Sequence, residues 1–140
     1  MPTADQPHIL VVDDNRDNAN IVRQYLEAVC GYTITVAYDG DEALHYFETE
    51  RPSVILLDVM MPGRDGWEVC RTIKQQFTAE NAPGGAPVRI IMVTALDDVW
   101  NRAHALQTGA DDFLEKPFDL SKLAAAVRRN LAALAQPNAA

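Results

Sequence analysis

Short apolar runs alternate with stretches of helical periodicity along most of the chain. The apolar runs occupy residues 8–12, 33–37, 53–57, 88–93 and 111–115. The first, third and fourth are nearly continuous in Ile, Leu and Val rather than alternating with polar residues. Such runs are typical of strands in a parallel sheet that is covered on both faces.

The segments around these runs carry apolar residues three and four positions apart, as on one side of a helix. The predicted helical stripes comprise Ile21, Val22, Tyr25, Leu26 and Val29; Ala43, Leu44 and Phe47; Trp67, Cys70, Ile73, Lys74 and Phe77; Ala103 and Leu106; and Leu120, Leu123, Ala124, Val127, Leu131 and Leu134. Gly31, after the first stripe, suits a helix C-cap. Strand and helix alternate five times, which predicts an α/β fold with a single doubly wound, parallel five-stranded sheet.

The length of 140 residues fits one domain. We expect that domain to span residues 8–135, after an N-terminal extension (1–7) and before a flexible tail (136–140). Residues 78–87 are rich in Gly, Pro and Ala, and we predict an extended surface loop there.

Charge and hydropathy exclude several classes of protein. The formal net charge of −8 argues against direct binding to nucleic acid. The sequence contains neither an apolar stretch long enough for a membrane-spanning helix nor an N-terminal signal sequence, so we expect a cytoplasmic protein without membrane contact. Cys30 and Cys70 lack metal-ligand spacing and are expected to be reduced thiols.

Polar side chains follow four of the five predicted strands. Asp13 and Asp14 follow the first strand, Asp58 the third, Thr94 the fourth and Lys116 the fifth. In an open α/β sheet, ligands bind beyond the carboxyl ends of the strands, where the strand order reverses. The order 2-1-3-4-5 makes the first and third strands neighbours, and would therefore bring the three aspartates together.

Three clustered carboxylates would repel one another, by roughly 4 kcal/mol for two charges about 4 Å apart at an effective dielectric near 20. A hard cation such as Mg²⁺, or Mn²⁺ in its place, would offset that cost. Lys116, the Thr94 hydroxyl and the backbone N–H of Ala95 would suit the oxygens of a phosphoryl group. Asp58 is then the natural nucleophile, because carboxylates form aspartyl phosphates in such surroundings.

Each of these residues has a simpler explanation when it is taken alone. Asp14 could cap the following helix, Thr94 could be an ordinary strand-end residue, and Lys116 could be a solvated lysine. Phe113 could be a core aromatic. Their joint occurrence favours a phosphoryl site.

Four stretches resemble the receiver domain of bacterial response regulators, the CheY-like superfamily. They are ILVVDD at 9–14, DVMMPGRDG at 58–66, VTAL at 93–96 and GADDFLEKPF at 109–118. They follow the family's order and spacing, and the resemblance covers residues from about 8 to 134. It implies a flavodoxin-like fold and a phosphorylation-activated switch of two-component signal transduction. Such a protein is not an enzyme beyond catalysing its own aspartyl phosphorylation and dephosphorylation.

At the matching positions, the resemblance implies that Asp58 is the phosphoacceptor. Asp13 and Asp14 resemble the acidic pair that positions Mg²⁺ together with Asp58, and the backbone carbonyl of Met60 would complete the protein ligands. The Lys116–Pro117 bond is similar to one that the family usually holds cis.

The resemblance also implies how the switch works. Thr94 and Lys116 would contact the phosphate, and Phe113 occupies the position of the switch aromatic. Its rotation would change the face made by the fourth predicted helix, the fifth strand and the fifth predicted helix. The implied partners are a cognate histidine kinase or phosphotransfer protein and a downstream output domain or protein, with homodimerisation left open.

Two rival interpretations remain at this point, beside a dinucleotide-binding domain, which is weaker because no GxGxxG motif follows the first strand. A phosphatase of the haloacid dehalogenase type also uses an aspartate nucleophile, Mg²⁺, threonine and lysine. It would need a second aspartate two residues after the nucleophile, where this chain has Met60, and its nucleophile follows the first strand. The other rival is a receiver-like binding module that never uses phosphate.

Overall fold

The computed structural model describes residues 7–59, 66–78, 88–94, 109–116 and 119–134. Its strands are β1 (His8–Val12), β2 (Thr33–Ala37), β3 (Val54–Asp58), β4 (Arg89–Thr94) and β5 (Asp112–Glu115). Its helices are α1 (Arg16–Tyr25), continued by the π-helical turn Leu26–Cys30, then α2 (Gly40–Glu50), α3 (Gly66–Thr78) and α4 (Leu120–Leu134). The predicted helix around Ala103 and Leu106 lies outside the described residues. So do residues 1–6 of the expected extension, residues 79–87 of the expected loop, residue 135 of the expected domain and the whole expected tail (136–140).

The five strands form one parallel sheet in the order β2-β1-β3-β4-β5, which confirms the predicted fold. Strands β3 and β4 begin and end one residue later than predicted. Asp58 and Thr94 are therefore the last residues of their strands and not the first residues of loops. Asp58 pairs in register with Val93, and the backbone N–H of Val59 donates to the Val93 carbonyl at 3.0 Å.

Alternate strand residues pack on opposite faces of the sheet. One face contacts α2 and α3 through a cluster that includes Leu57, Met92, Phe47 and Ile73. The other face contacts the π-helical turn and α4 through residues such as Leu56, Val93, Leu26 and Val127. Because both faces are covered, the strands can be apolar at nearly every position, as the continuous runs indicated.

Helix α1 differs from the sequence prediction at its start and along its outer side. Asn15 is the N-cap, and its side-chain oxygen accepts from the Asn18 N–H at 2.9 Å, so the explanation of Asp14 as a cap is wrong. Gly31 has φ 75° and confirms the predicted C-cap, although the π-helical turn before it was not predicted. Ile21 and Val29 are 52% and 56% exposed, so these two members of the stripe do not pack into the core.

At the amino ends of β4 and β5, Asp111 joins the sheet to α3. Its Oδ2 accepts from Lys74 Nζ at 2.6 Å and from the Ile90 N–H at 2.8 Å. Lys74 Nζ also donates to the Val88 carbonyl at 3.0 Å. This pairing explains a lysine within the apolar stripe of α3. None of the described helices is both long and apolar enough to cross a membrane.

Candidate functional site

Asp58 ends the central strand β3, in which every residue is buried. The residue itself is only 5% exposed. Its Oδ2 lies 3.4 Å from Lys116 Nζ, near the long limit of a hydrogen bond. The ammonium group therefore compensates the buried carboxylate without forming a tight, bidentate pair with it.

The backbone around Asp58 depends on Gly66, the first residue of α3. The Gly66 N–H donates to the Val59 carbonyl at 3.1 Å. A Cβ at Gly66 would collide with the carbonyl oxygen of Asp58 and would lie 2.9 Å from Val59 Cα. In the sequence, this glycine stands out only as the last residue of the DVMMPGRDG stretch. Its specific requirement arises from the close approach of α3 to the end of β3.

Asp13 and Asp14 approach Asp58 from the end of β1. The carboxylate oxygens of the three residues that could bind a metal lie within 4.8 Å of one another. The Asp13 backbone N–H donates to the Ala37 carbonyl at 3.0 Å, and its Oδ1 accepts from the Asn15 N–H at 2.9 Å. Asp14 is exposed. The structure thus brings the three predicted acidic residues together, as the strand order required.

The electrostatics of this cluster are visible at Asp13. Burial raises the pKa of its carboxyl group above the ordinary value of 3.8, and the neighbouring Asp58 and Asp14 carboxylates raise it further. The Asn15 N–H and the Lys116 ammonium lower the pKa but do not cancel the increase. The ionised form of the Asp13 carboxyl group is therefore disfavoured at this position, and a bound cation would favour it.

Thr94 and Lys116 lie at the same edge of the sheet. Thr94 is 4% exposed and pairs in register with Glu115. The Lys116 backbone N–H donates to the Thr94 carbonyl at 2.6 Å. Phe113 is half-buried on β5, opposite Met92, and packs against the core cluster under α2 and α3.

The donor atoms of the acidic cluster fit a hard divalent cation. All three side chains offer oxygen, which Mg²⁺ prefers, and opposite ligands of octahedral Mg²⁺ are about 4 Å apart. Oxygens within 4.8 Å of one another would need only small shifts, or intervening waters, to share one ion. The predicted carbonyl ligand of Met60, the Ala95 N–H and Pro117 lie outside the described residues.

Residues 9–128 match the family model described as the response regulator receiver domain. The chain belongs to this family. Receiver domains are signalling proteins and not classical enzymes, and they generally bind Mg²⁺ at an acidic pocket. Membership implies interaction with histidine kinases or phosphotransfer proteins and, often, with output domains. The match favours the receiver interpretation over the phosphatase.

Solved structures of other receiver domains have the same fold. The chain is 32% identical to the receiver domain of Francisella response regulator 1452, covering 91% of this chain and 98% of that one with a TM-score of 0.80. It is 27% identical to a CheY-like receiver protein from Methanospirillum hungatei, with coverages of 94% and 98% and a TM-score of 0.81. It is 30% identical to the BeF3-activated receiver domain of Thermotoga maritima DrrB, with coverages of 91% and 98% and a TM-score of 0.75.

Proposed function

We propose that this receiver domain accepts a phosphoryl group on Asp58 from a histidine kinase or phosphotransfer protein and relays the modification to an output domain or protein. The observation that carries the proposal is the position of the buried Asp58 carboxylate, 3.4 Å from Lys116 and within 4.8 Å of two more carboxylates. A carboxylate in such surroundings is suited to nucleophilic attack on phosphorus.

In the transfer, a carboxylate oxygen of Asp58 forms a bond to phosphorus while the bond from phosphorus to the donor nitrogen breaks. Lys116 is released from Asp58 and donates to a phosphoryl oxygen, which its long 3.4 Å contact favours. The Thr94 hydroxyl and the Ala95 N–H donate to the remaining oxygens. Asp13, Asp14 and Asp58, with the Met60 carbonyl, would hold Mg²⁺, which would supply positive charge to offset the phosphoryl oxygens.

Phosphorylation adds about −1.5 to −2 charges and three acceptor oxygens. Movement of Thr94 toward these oxygens would shift the end of β4 against β5, to which it is bonded through Lys116. Phe113 lies on β5, three residues before Lys116. We propose that its rotation transmits the change to the β5–α4 surface, where an output partner or a second copy of the chain would bind.

Incubation with acetyl phosphate and MgCl₂, followed by intact mass spectrometry, tests the proposal. We expect one phosphoryl adduct on the native chain, none after chelation of the metal, and none on Asp58→Asn. The control Asp17→Asn replaces an exposed aspartate on α1 and should retain the adduct. An adduct on folded Asp58→Asn would move the phosphoacceptor elsewhere. A folded native chain that acquires no adduct would favour the phosphate-independent binding module.

A further inference from the structure

The acidic site continues into a cleft between α1 and α4. The cleft has a volume of about 600 Å³, which is the size of a typical small-ligand site. Asp13, Asp58 and Lys116 line its polar end. The phosphoryl chemistry proposed above uses these three residues and none of the remaining residues that line the cleft.

The remaining lining of the cleft is almost entirely apolar. Ile21 and Val22 contribute the α1 wall, and Leu120 and Leu123 contribute the α4 wall. The floor is formed by sheet residues such as Val93. Ile21 is 52% exposed. An apolar ligand bound in the cleft would therefore bury both the surface of the ligand and the exposed surface of Ile21.

We propose that this cleft binds the apolar body of an acyl phosphate, so that Asp58 accepts phosphoryl groups from aromatic acyl phosphates in preference to acetyl phosphate. The proposal rests on the function proposed above and names a class of small phosphodonor for the same site. One molecule must then satisfy both parts of the cleft: its phosphoryl group lies at the Lys116 end with Mg²⁺ bound, and its apolar acyl group lies between α1 and α4.

The reaction is balanced without a further reactant. An Asp58 carboxylate oxygen forms a bond to phosphorus, and the bond between phosphorus and the acyl oxygen breaks. The electron pair of that bond leaves with the acyl group as a carboxylate. No proton or redox partner is required.

The first test compares benzoyl phosphate with acetyl phosphate as phosphodonors, at equal concentrations and with MgCl₂, by intact mass over time. The measured quantity is the ratio of the two rate constants within each protein, because this ratio cancels effects of a variant on the chemistry common to both donors. In Ile21→Asn we expect the benzoyl-to-acetyl ratio to fall about five- to tenfold. This fall corresponds to losing roughly half of the free energy gained by burying an isoleucine side chain.

Val29→Asn is the matched control. Val29 is also an exposed aliphatic residue, 56% exposed, but it lies two turns further along and is not among the residues lining the cleft. It should keep the native ratio. The same ratio in the native chain and in Ile21→Asn would overturn the proposal while leaving the proposed function intact. Failure of both donors to phosphorylate the folded native chain would instead overturn the proposed function.

A binding measurement tests occupation of the cleft independently of phosphoryl transfer. Benzoylphosphonate, which cannot transfer its phosphorus, should shift the backbone amide resonances of Val22 and Leu123 in the presence of MgCl₂. Acetylphosphonate should shift them less. Equal shifts from the two compounds would contradict the inference. A native dimer that Ile21→Asn dissociates in sedimentation experiments would assign this apolar surface to a second copy of the chain, and would also overturn it.

Discussion

Replacing Asp13 by asparagine should stabilise the metal-free protein. Two charges no more than 4.8 Å apart repel by about 3.5 kcal/mol at an effective dielectric of 20. Asp13 is only partly buried, so solvent screening reduces the expected gain in the free energy of unfolding to about 1 kcal/mol at neutral pH. Asparagine retains the side-chain oxygen that accepts from the Asn15 N–H, so the substitution removes the charge and preserves the turn.

The gain should depend on pH in a defined direction. The folded-state pKa of Asp13 is raised above 3.8, so the folded state binds this proton more tightly than the unfolded state. Its contribution to stability is therefore present below pH 3.8 and is lost as the pH rises through the folded-state pKa. The extra stability of Asp13→Asn over the native chain should therefore increase as the pH rises from 3.8 through the folded-state pKa, and then stay constant.

Mg²⁺ should reduce the difference in stability between Asp13→Asn and the native chain. At ten times its dissociation constant, an ion that binds only the folded state stabilises it by about 1.4 kcal/mol. The native chain should gain this stability, and Asp13→Asn, which lacks one ligand, should gain less. Urea denaturation followed by circular dichroism, across the acidic-to-neutral pH range with and without MgCl₂, measures all three effects.

Three results would contradict charge repulsion or metal binding at Asp13. A less stable Asp13→Asn at neutral pH without metal would mean that repulsion does not dominate at this position. If the difference in stability between Asp13→Asn and the native chain does not change with pH, the charge of the Asp13 carboxylate is not its cause. An equal Mg²⁺ response in both proteins would show that Asp13 is not a ligand. Asp17→Asn, at an exposed position on α1, controls for the general loss of one negative charge.

Two further substitutions test the framework around the site. Gly66→Ala should lower the free energy of unfolding by about 1–3 kcal/mol and slow phosphorylation by acetyl phosphate, because its Cβ would displace the Asp58 backbone. The control is Gly31→Ala, whose Cβ would meet nothing within 4 Å but whose φ is 75°, so it should lower stability without slowing phosphorylation. Equal phosphorylation rates in the two variants would contradict this prediction. Asp111→Asn should lower the free energy of unfolding by about 1–3 kcal/mol, measured by urea denaturation, because it weakens the contact with Lys74. The control Glu48→Gln, at an exposed position, should change this free energy by less than about 0.5 kcal/mol. A similarly small change in Asp111→Asn would mean that the contacts of Asp111 are not stabilising.

The fold and the approximate position of the candidate site could both be predicted from the sequence. Continuous aliphatic runs such as residues 54–57 are typical of strands in a sheet that is covered on both faces. Their alternation with helical stripes leaves few topologies, and the position of Asp58 at a strand end places it at the edge where ligands bind. Periodicity and strand ends are local properties, so they can be predicted without knowing which distant residues meet.

How closely the elements approach one another could not be predicted from the sequence. The tertiary structure assigned the helix cap to Asn15 and left Asp14 beside the other acids. It placed α3 so close to β3 that a Cβ at residue 66 would collide with the Asp58 backbone. It also left Ile21 beside a cleft that opens onto Asp58. These features depend on distances of a few ångströms between residues far apart in the chain, which are set by packing of the whole domain and have no local sequence pattern.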